Sequence, residues 1–157
     1  MPCACRSVSV GLISDTHGLL RPEALAALKG SRHIIHAGDI GDPAVLEALA
    51  RVAPVTAVRG NNDIGGWARN LNETEIVEIA ARRIYVIHDL AQLKLDPAAA
   101  RLDVVVAGHS HRPREERRGG VLYVNPGSAG PRRFKLPIAV ATLALSAHEI
   151  SFELKEL

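Results

Sequence analysis

The strongest constraint on the fold is a repeated juxtaposition, in which a short apolar run stops at a cluster of Gly, Asp, Asn and His. Val8 to Ile13 ends at SDTH (Ser14 to His17), His33 to Ala37 at GDIGD (Gly38 to Asp42), and Val55 to Val58 leads into GNND (Gly60 to Asp63). Arg83 to Ile87 runs into IHD (Ile87 to Asp89), and Val104 to Ala107 into GHSH (Gly108 to His111). Runs this short and this apolar read as buried strands, and a polar motif directly after a strand sits at its carboxyl end. Open α/β sheets gather their ligands there, so the five motifs are expected on one edge of the molecule.

Between the first runs lie helical segments. Arg21 to Leu28 reads as a helix with Pro22 in its first turn and Gly30 beyond its end, and Pro43 to Arg51 reads as a second. Strand, helix, strand, helix, strand predicts a parallel sheet with right-handed crossovers. After Trp67 the pattern changes to strands at Glu73 to Ile79 and Arg83 to Ile87, joined by a turn at Ala80 to Arg82. A short helix from Pro97, capped by Asp96, precedes the strand Val104 to Ala107. Val121 to Val124, Ile138 to Leu145 and Ile150 to Leu154 add three more strands. Two packed sheets with helices outside cover this many strands economically.

The 157 residues, 47% of them hydrophobic, fit one domain, taken as residues 1–157. Net charge is +2, with acidic residues interleaved among the basic ones, which does not announce nucleic-acid binding. The densest basic run, Arg112 to Arg118, is broken by Glu115 and Glu116 and reads as a solvated hairpin tip. Cys3 and Cys5 are the only cysteines, so no disulfide framework is expected and a reducing, cytoplasmic location is the simplest account. No secretory leader pattern and no apolar run of the roughly twenty residues needed to cross a bilayer is present.

The polar motifs supply oxygen and imidazole donors without thiolate. Asp39 is the natural bridging ligand, because each carboxylate oxygen can bind a different cation. Asn61 adds a neutral amide oxygen, and His88, His109 and His111 complete two coordination shells. In extended chain, residues two apart point the same way, so Asp15 with His17, and His109 with His111, are each expected to converge on one place. The donor set suits Mn²⁺, with Ni²⁺, Fe, Co²⁺ and Zn²⁺ as alternatives, and argues against a structural zinc site. His33, His36 and His148 read as hydrogen-bonded structural residues, although His36 lies close enough to Asp39 to support it. Asp42 and Asp63 read as turn or supporting acceptors. Trp67 reads as packing over the sheet edge, and Arg132 and Arg133 either meet a phosphate or sit in a solvated loop.

The ordered set Asp-x-His, Gly-Asp, Gly-Asn-x-Asp, His and Gly-His-x-His resembles the calcineurin-like metallophosphoesterases, in particular their small phosphodiesterases. The likeness runs from Val8 to about Leu145 and includes NPGS at Asn125 to Ser128. It implies an α/β fold, a four-layer αββα sandwich of two mixed β-sheets flanked by helices. It also implies one metal on Asp15, His17, Asp39 and His111, and a second on Asp39, Asn61, His88 and His109. Two departures stand out. Many relatives carry a catalytic His where this chain has Asn62, and Gly where it has Asp89. Asn62 cannot supply a proton, while Asp89 can face solvent, orient a ligand His or repel substrate.

The expectation is therefore a phosphodiesterase in which a hydroxide bridging two divalent ions attacks a small phosphodiester, with Asp39, Asn61 and Asn62 nearest the chemistry. The rivals are a phosphomonoesterase, disfavoured because no cationic clamp for a dianion is apparent, a nuclease, and a non-catalytic scaffold or interaction subunit. Pairing of exposed strand edges into a homo-oligomer stays open.

Overall fold

The computed structural model describes residues 7–157; Cys3 and Cys5 lie outside the described residues. β1 (Val8–Ile13), β2 (His33–His36) and β3 (Val55–Ala57) pair in parallel through α1 (Pro22–Leu28) and α2 (Pro43–Ala50), as the alternating pattern requires. Asp42 caps α2 by accepting the Ala44 N–H at 2.8 Å, and Val45 and Leu49, one turn apart, turn inward. β4 (Thr74–Ile79), β5 (Arg82–Ile87), β6 (Val104–Val106), β7 (Arg114–Arg118) and β8 (Val121–Asn125) build a second sheet. β9 (Ala139–Leu145) and β10 (Ile150–Glu156) return to the first. The strand orders are β10-β9-β1-β2-β3 and β4-β5-β6-β8-β7, both sheets mixed.

Alternation along each central strand decides its two faces. In β5, Ile84 and Val86 point between the sheets, while Tyr85 and Ile87 point out. Val104 and Val106 against Val105, and Leu122 and Val124 against Val121 and Tyr123, do the same. A strand buried on both faces is apolar throughout, which is why these runs show no polar alternation. The outer face of the first sheet is covered by α1 and α2 through Ala24, Leu28, Val45 and Leu49.

The outer face of the second sheet has a thinner cover. Leu90, Leu93, Leu95, Ala100 and Leu102 pack on it from a segment containing one 3₁₀ turn, Leu90–Gln92, and further turns. The helix expected from Pro97 does not form. Asp96 accepts the Ala98 and Ala99 N–H groups as a cap would, but Arg101 turns left-handed (φ 59°) and ends the segment after one turn. Asp103 then anchors the chain to β5 by accepting the Arg83 N–H at 2.8 Å. So few residues cannot recover the cost of helix nucleation.

The basic run is corrected too: Arg114 to Arg118 is edge strand β7, and only Gly119 and Gly120 form the tip. Charged side chains on an outer strand discourage further pairing, and the Arg118 guanidinium lies 4.8 Å from the Tyr123 ring centre.

The β4–β5 turn is strained. Ala80 and Ala81 have φ of 52° and 63°, the values of a type I′ hairpin, which Asn-Gly adopts far more readily. Replacing them together, Ala80→Asn with Ala81→Gly, is expected to raise unfolding free energy by about 1 kcal/mol, relieving the penalty a Cβ meets there. Urea melts should show a higher midpoint at unchanged slope, and an unmoved midpoint would refute the strain.

Candidate metal centre

The carboxyl ends of β1, β2, β5, β6 and β8 meet where the two sheets touch. The Gly108 N–H donates to the His88 carbonyl at 2.9 Å, the Asp15 N–H to Gly38 at 3.0 Å, and the Ala129 N–H to Ser14 at 3.0 Å. Close approach requires glycine at two points: a Cβ on Gly108 would overlap Ser14 Oγ, and one on Gly60 would overlap the Asp39 backbone and carboxylate. Asn125, in the NPGS motif, ties these loops together through Nδ2, donating to the Gly108 carbonyl at 3.0 Å and to Ser110 Oγ at 3.2 Å. Ser128 Oγ donates to the Asp15 carbonyl at 3.1 Å.

Six of the seven expected ligands form two groups. Asp15, His17 and His111 make one, and Asp39, His88 and His109 the other, with the donor atoms in each within 4.8 Å of one another. Asn61 joins the second group, its Oδ1 3.0 Å from His88 Nε2. Asp39 Oδ2 lies between them, 3.3 Å from His88 Nε2 and 3.8 Å from His17 Nε2. His109 and His111 therefore serve different groups rather than one. Asp15 and His17 share a group as expected, but none of these segments is extended chain: Asp15, His17, Asp39, His109 and His111 all have φ between 47° and 71°. Left-handed backbone at five non-glycine residues aims side chains that a strand would not, at a strain typical of functional sites.

Hydrogen bonds fix the donors. His88 Nδ1 donates to the Ala37 carbonyl at 2.7 Å, so in the neutral ring the Nε2 lone pair faces Asn61 Oδ1 and Asp39 Oδ2. Acceptors converging on acceptors repel unless a proton or a cation lies among them. Asp15 Oδ2 accepts from Ser14 Oγ at 2.8 Å and the His109 N–H at 3.1 Å, whereas Asp15 Oδ1 and His17 Nε2 are buried without partners. Buried polar atoms left unsatisfied beside a carboxylate shared by both groups fit divalent cations.

The electrostatics agree. Burial pushes Asp39 up, but with a proton on His88 Nε2 the His88 and Asn62 hydrogen bonds and the nearby imidazoles outweigh it and hold the carboxyl at about 2. Burial pushes His88 down, yet Asp39 and Asp15 raise it overall. The negative potential that raises this imidazole also attracts a metal ion. Burial raises Asp15, with His88 and Ser14 opposing. His111 is lowered to about 4, first by burial and then by the Arg133 charge, which favours the neutral imidazole a metal requires.

The supporting residues divide sharply. Asp63 is a clamp: its carboxylate accepts the Ile40, Gly41 and Gly60 N–H groups at 3.1, 3.0 and 2.9 Å, locking the Asp39 loop to the Asn61 loop. His36 is fully buried and held neutral, lowered to about 3 mainly by burial. Its Nδ1 accepts the Gly38 N–H at 3.1 Å and its Nε2 faces Thr16 Oγ1 at 3.0 Å. Asn62 donates to Asp39 twice, from its backbone N–H at 2.9 Å and from Nδ2 at 3.2 Å. Asp89 Oδ1 accepts the Ala91 N–H at 3.0 Å and its Oδ2 faces His109 Nε2 at 3.9 Å. Arg132 is not drawn in; it is exposed, with Nη1 3.5 Å from the Leu136 carbonyl. Trp67 packs with the α1 and α2 cluster, and His33 bonds Thr56. Thr16 and Asn125 lie inside the SDTH and NPGS motifs, but sequence reasoning gave neither a role. Arg59 and Lys94 line a cavity beside the second group although composition showed no basic cluster.

The calcineurin-like phosphoesterase superfamily domain matches residues 8–148. A probable metallophosphoesterase of Methanocaldococcus jannaschii is 36% identical over 132 residues, covering 76% of this chain and 67% of its own. The phosphodiesterase YfcE of Escherichia coli is 31% identical over 145 residues, covering 73% and 76%. Among solved structures, vacuolar protein sorting 29 of Cryptosporidium parvum superposes with a TM-score of 0.76 over 97% of this chain and 98% of its own, at 19% identity, a likeness of fold.

Proposed function

The chain belongs to the calcineurin-like phosphoesterase superfamily, and we propose that it is a phosphodiesterase holding two divalent cations. One would sit on Asp15, His17, Asp39 and His111, the other on Asp39, Asn61, His88 and His109. The observation that carries this reading is one carboxylate oxygen, Asp39 Oδ2, 3.8 Å from His17 Nε2 of one group and 3.3 Å from His88 Nε2 of the other. When bound, two such ions supply an acidified water as nucleophile and neutralise charge on the phosphoryl oxygens. The side chains do the rest. Asp63 and the Asn62 N–H hold Asp39 in place, Ala37 fixes the His88 tautomer, and Ser14 turns one oxygen of Asp15 away so that the other faces the imidazoles. No protein nucleophile is needed. The Escherichia coli relative's name as a phosphodiesterase supports the diester over the monoester, and the oxygen and imidazole donors of both groups suit Mn²⁺ as well as Ni²⁺, Fe, Co²⁺ and Zn²⁺.

Adding Mn²⁺ to chelator-treated protein is expected to raise the melting temperature. Binding at a hundredfold excess over Kd contributes about 2.7 kcal/mol per site. For a chain of this size each kcal/mol is worth roughly 2–4 °C. Turnover should follow the same titration with a diester panel and with Mn²⁺, Ni²⁺ and Zn²⁺ in turn. No thermal shift and no turnover with any ion would sink the reading and favour a scaffold role. Preference for monoesters or single-stranded DNA would move it to the other enzymatic alternatives.

A further inference from the structure

Beside the second group the molecule opens into a cavity of about 590 Å³, inside the range of roughly 300–1,000 Å³ that accepts drug-sized groups. Asn61, His88 and His109 form one side of it, so a phosphorus held at the metal centre would carry one of its substituents into this space. The opposite side is built by the outward face of β5 and the segment after it. Tyr85, Ile87 and Leu95 give an apolar wall, and Thr74 and Gln92 add a hydroxyl and an amide. The charges largely cancel. Arg59 pairs with Glu73 at 3.1 Å, and Asp89 is engaged by the Ala91 N–H, which leaves Lys94 without an ion pair among the described residues.

We propose that this cavity is the subsite for the non-leaving arm of the substrate and that this arm is a nucleoside. A planar base has the flat apolar surface that the Tyr85, Ile87 and Leu95 wall accepts, and its polar edge and the sugar hydroxyls match Thr74 and Gln92. Lys94 stands ready for a further phosphate on the sugar. A methyl or glyceryl arm would leave the apolar wall wet. The assignment rests on the phosphodiesterase reading above and names its substrate class.

The test compares two diesters with the same leaving group, thymidine 5′-(p-nitrophenyl phosphate) and methyl p-nitrophenyl phosphate, on the Mn²⁺-loaded protein. The thymidine ester should have the higher kcat/KM by at least about tenfold, as a filled apolar pocket discriminates. Leu95→Trp and, from strand β4, Thr74→Trp should each collapse that ratio. Binding of thymidine 5′-monophosphate, followed by calorimetry, should weaken about tenfold in the same variants. Equal rates for the two esters, or a ratio that survives both substitutions, would overturn the nucleoside subsite while the phosphodiesterase reading stands. Nucleotide binding that weakens as described, without turnover of either ester, would uphold the cavity and overturn the diester chemistry. Neither binding nor turnover would overturn both.

Discussion

Asp39→Asn is expected to lower diester turnover by at least about 10³-fold, the scale of losing a principal electrostatic element of a site, and to reduce bound metal from two ions per chain to one or none. The substitution preserves size and shape, so the backbone N–H of Asn62, 2.9 Å from Oδ1, keeps an oxygen to bond. At the other end it places an amide NH₂ where Oδ2 was, 3.3 Å from His88 Nε2. In the neutral ring the Ala37 contact leaves that nitrogen an acceptor, so the introduced amide donates to it and caps the lone pair a cation needs. One negative charge is lost from both groups at once, because His17 lies 3.8 Å from the same oxygen. Elemental analysis after gel filtration, read with kcat, separates the outcomes. A variant that keeps two ions and full turnover would show that the groups do not depend on a shared carboxylate. In the absence of metal the variant should melt slightly lower, since the Asn62 Nδ2 donor, 3.2 Å from Oδ2, loses its acceptor.

How much of this was legible in sequence depends on the range of the interaction. The strands β5, β6 and β8 were readable because a strand apolar on both faces must be buried on both, and their carboxyl ends then locate the ligands. β7 was not. An edge strand with charged side chains carries no hydrophobic period, and only its pairing with β8, from Arg114 opposite Asn125 to Arg118 opposite Val121, reveals it. The segment after Pro97 had a valid cap but too few residues to propagate. The candidate ligands followed from their motifs and their sorting into two groups from the family resemblance, whereas strand geometry alone put His109 and His111 together. His109 and His111 part company because the loop that carries them is not extended chain, and both residues take left-handed backbone that no local run of sequence announces. Asp63 illustrates the same limit: its type suggested a turn acceptor, but that it ties together the β2 and β3 loops depends on three donors, two of them more than twenty residues away. The Arg59 and Lys94 cavity assembles from separate loops, so no local run of charge announces it.

The second large effect concerns the leaving group. Asn62 stands where the family resemblance calls for an imidazole, and its amide donates to Asp39 Oδ2 at 3.2 Å and has no proton to release. A phosphodiester with an aryl leaving group expels a stable anion and needs no acid. An alkyl leaving group departs as a poor anion unless it is protonated, help worth roughly 10²- to 10⁴-fold. The protein is therefore expected to favour p-nitrophenyl esters strongly over matched alkyl esters. Asn62→His should raise alkyl ester turnover by about 10²-fold, at the lower end of what general acid catalysis contributes, with aryl turnover changed only a few-fold. The gained rate requires the protonated imidazole, so it should be present at low pH and decline as pH rises through the histidine pKa, near 6.5 for an unperturbed ring. Asn62→Ala should lower both ester classes by one modest factor, because it removes a tether from Asp39 without touching proton supply. If both substitutions leave the ratio of alkyl to aryl turnover where it was, proton donation from this position is not what limits the enzyme, and the leaving oxygen must draw its stabilisation from elsewhere in the centre.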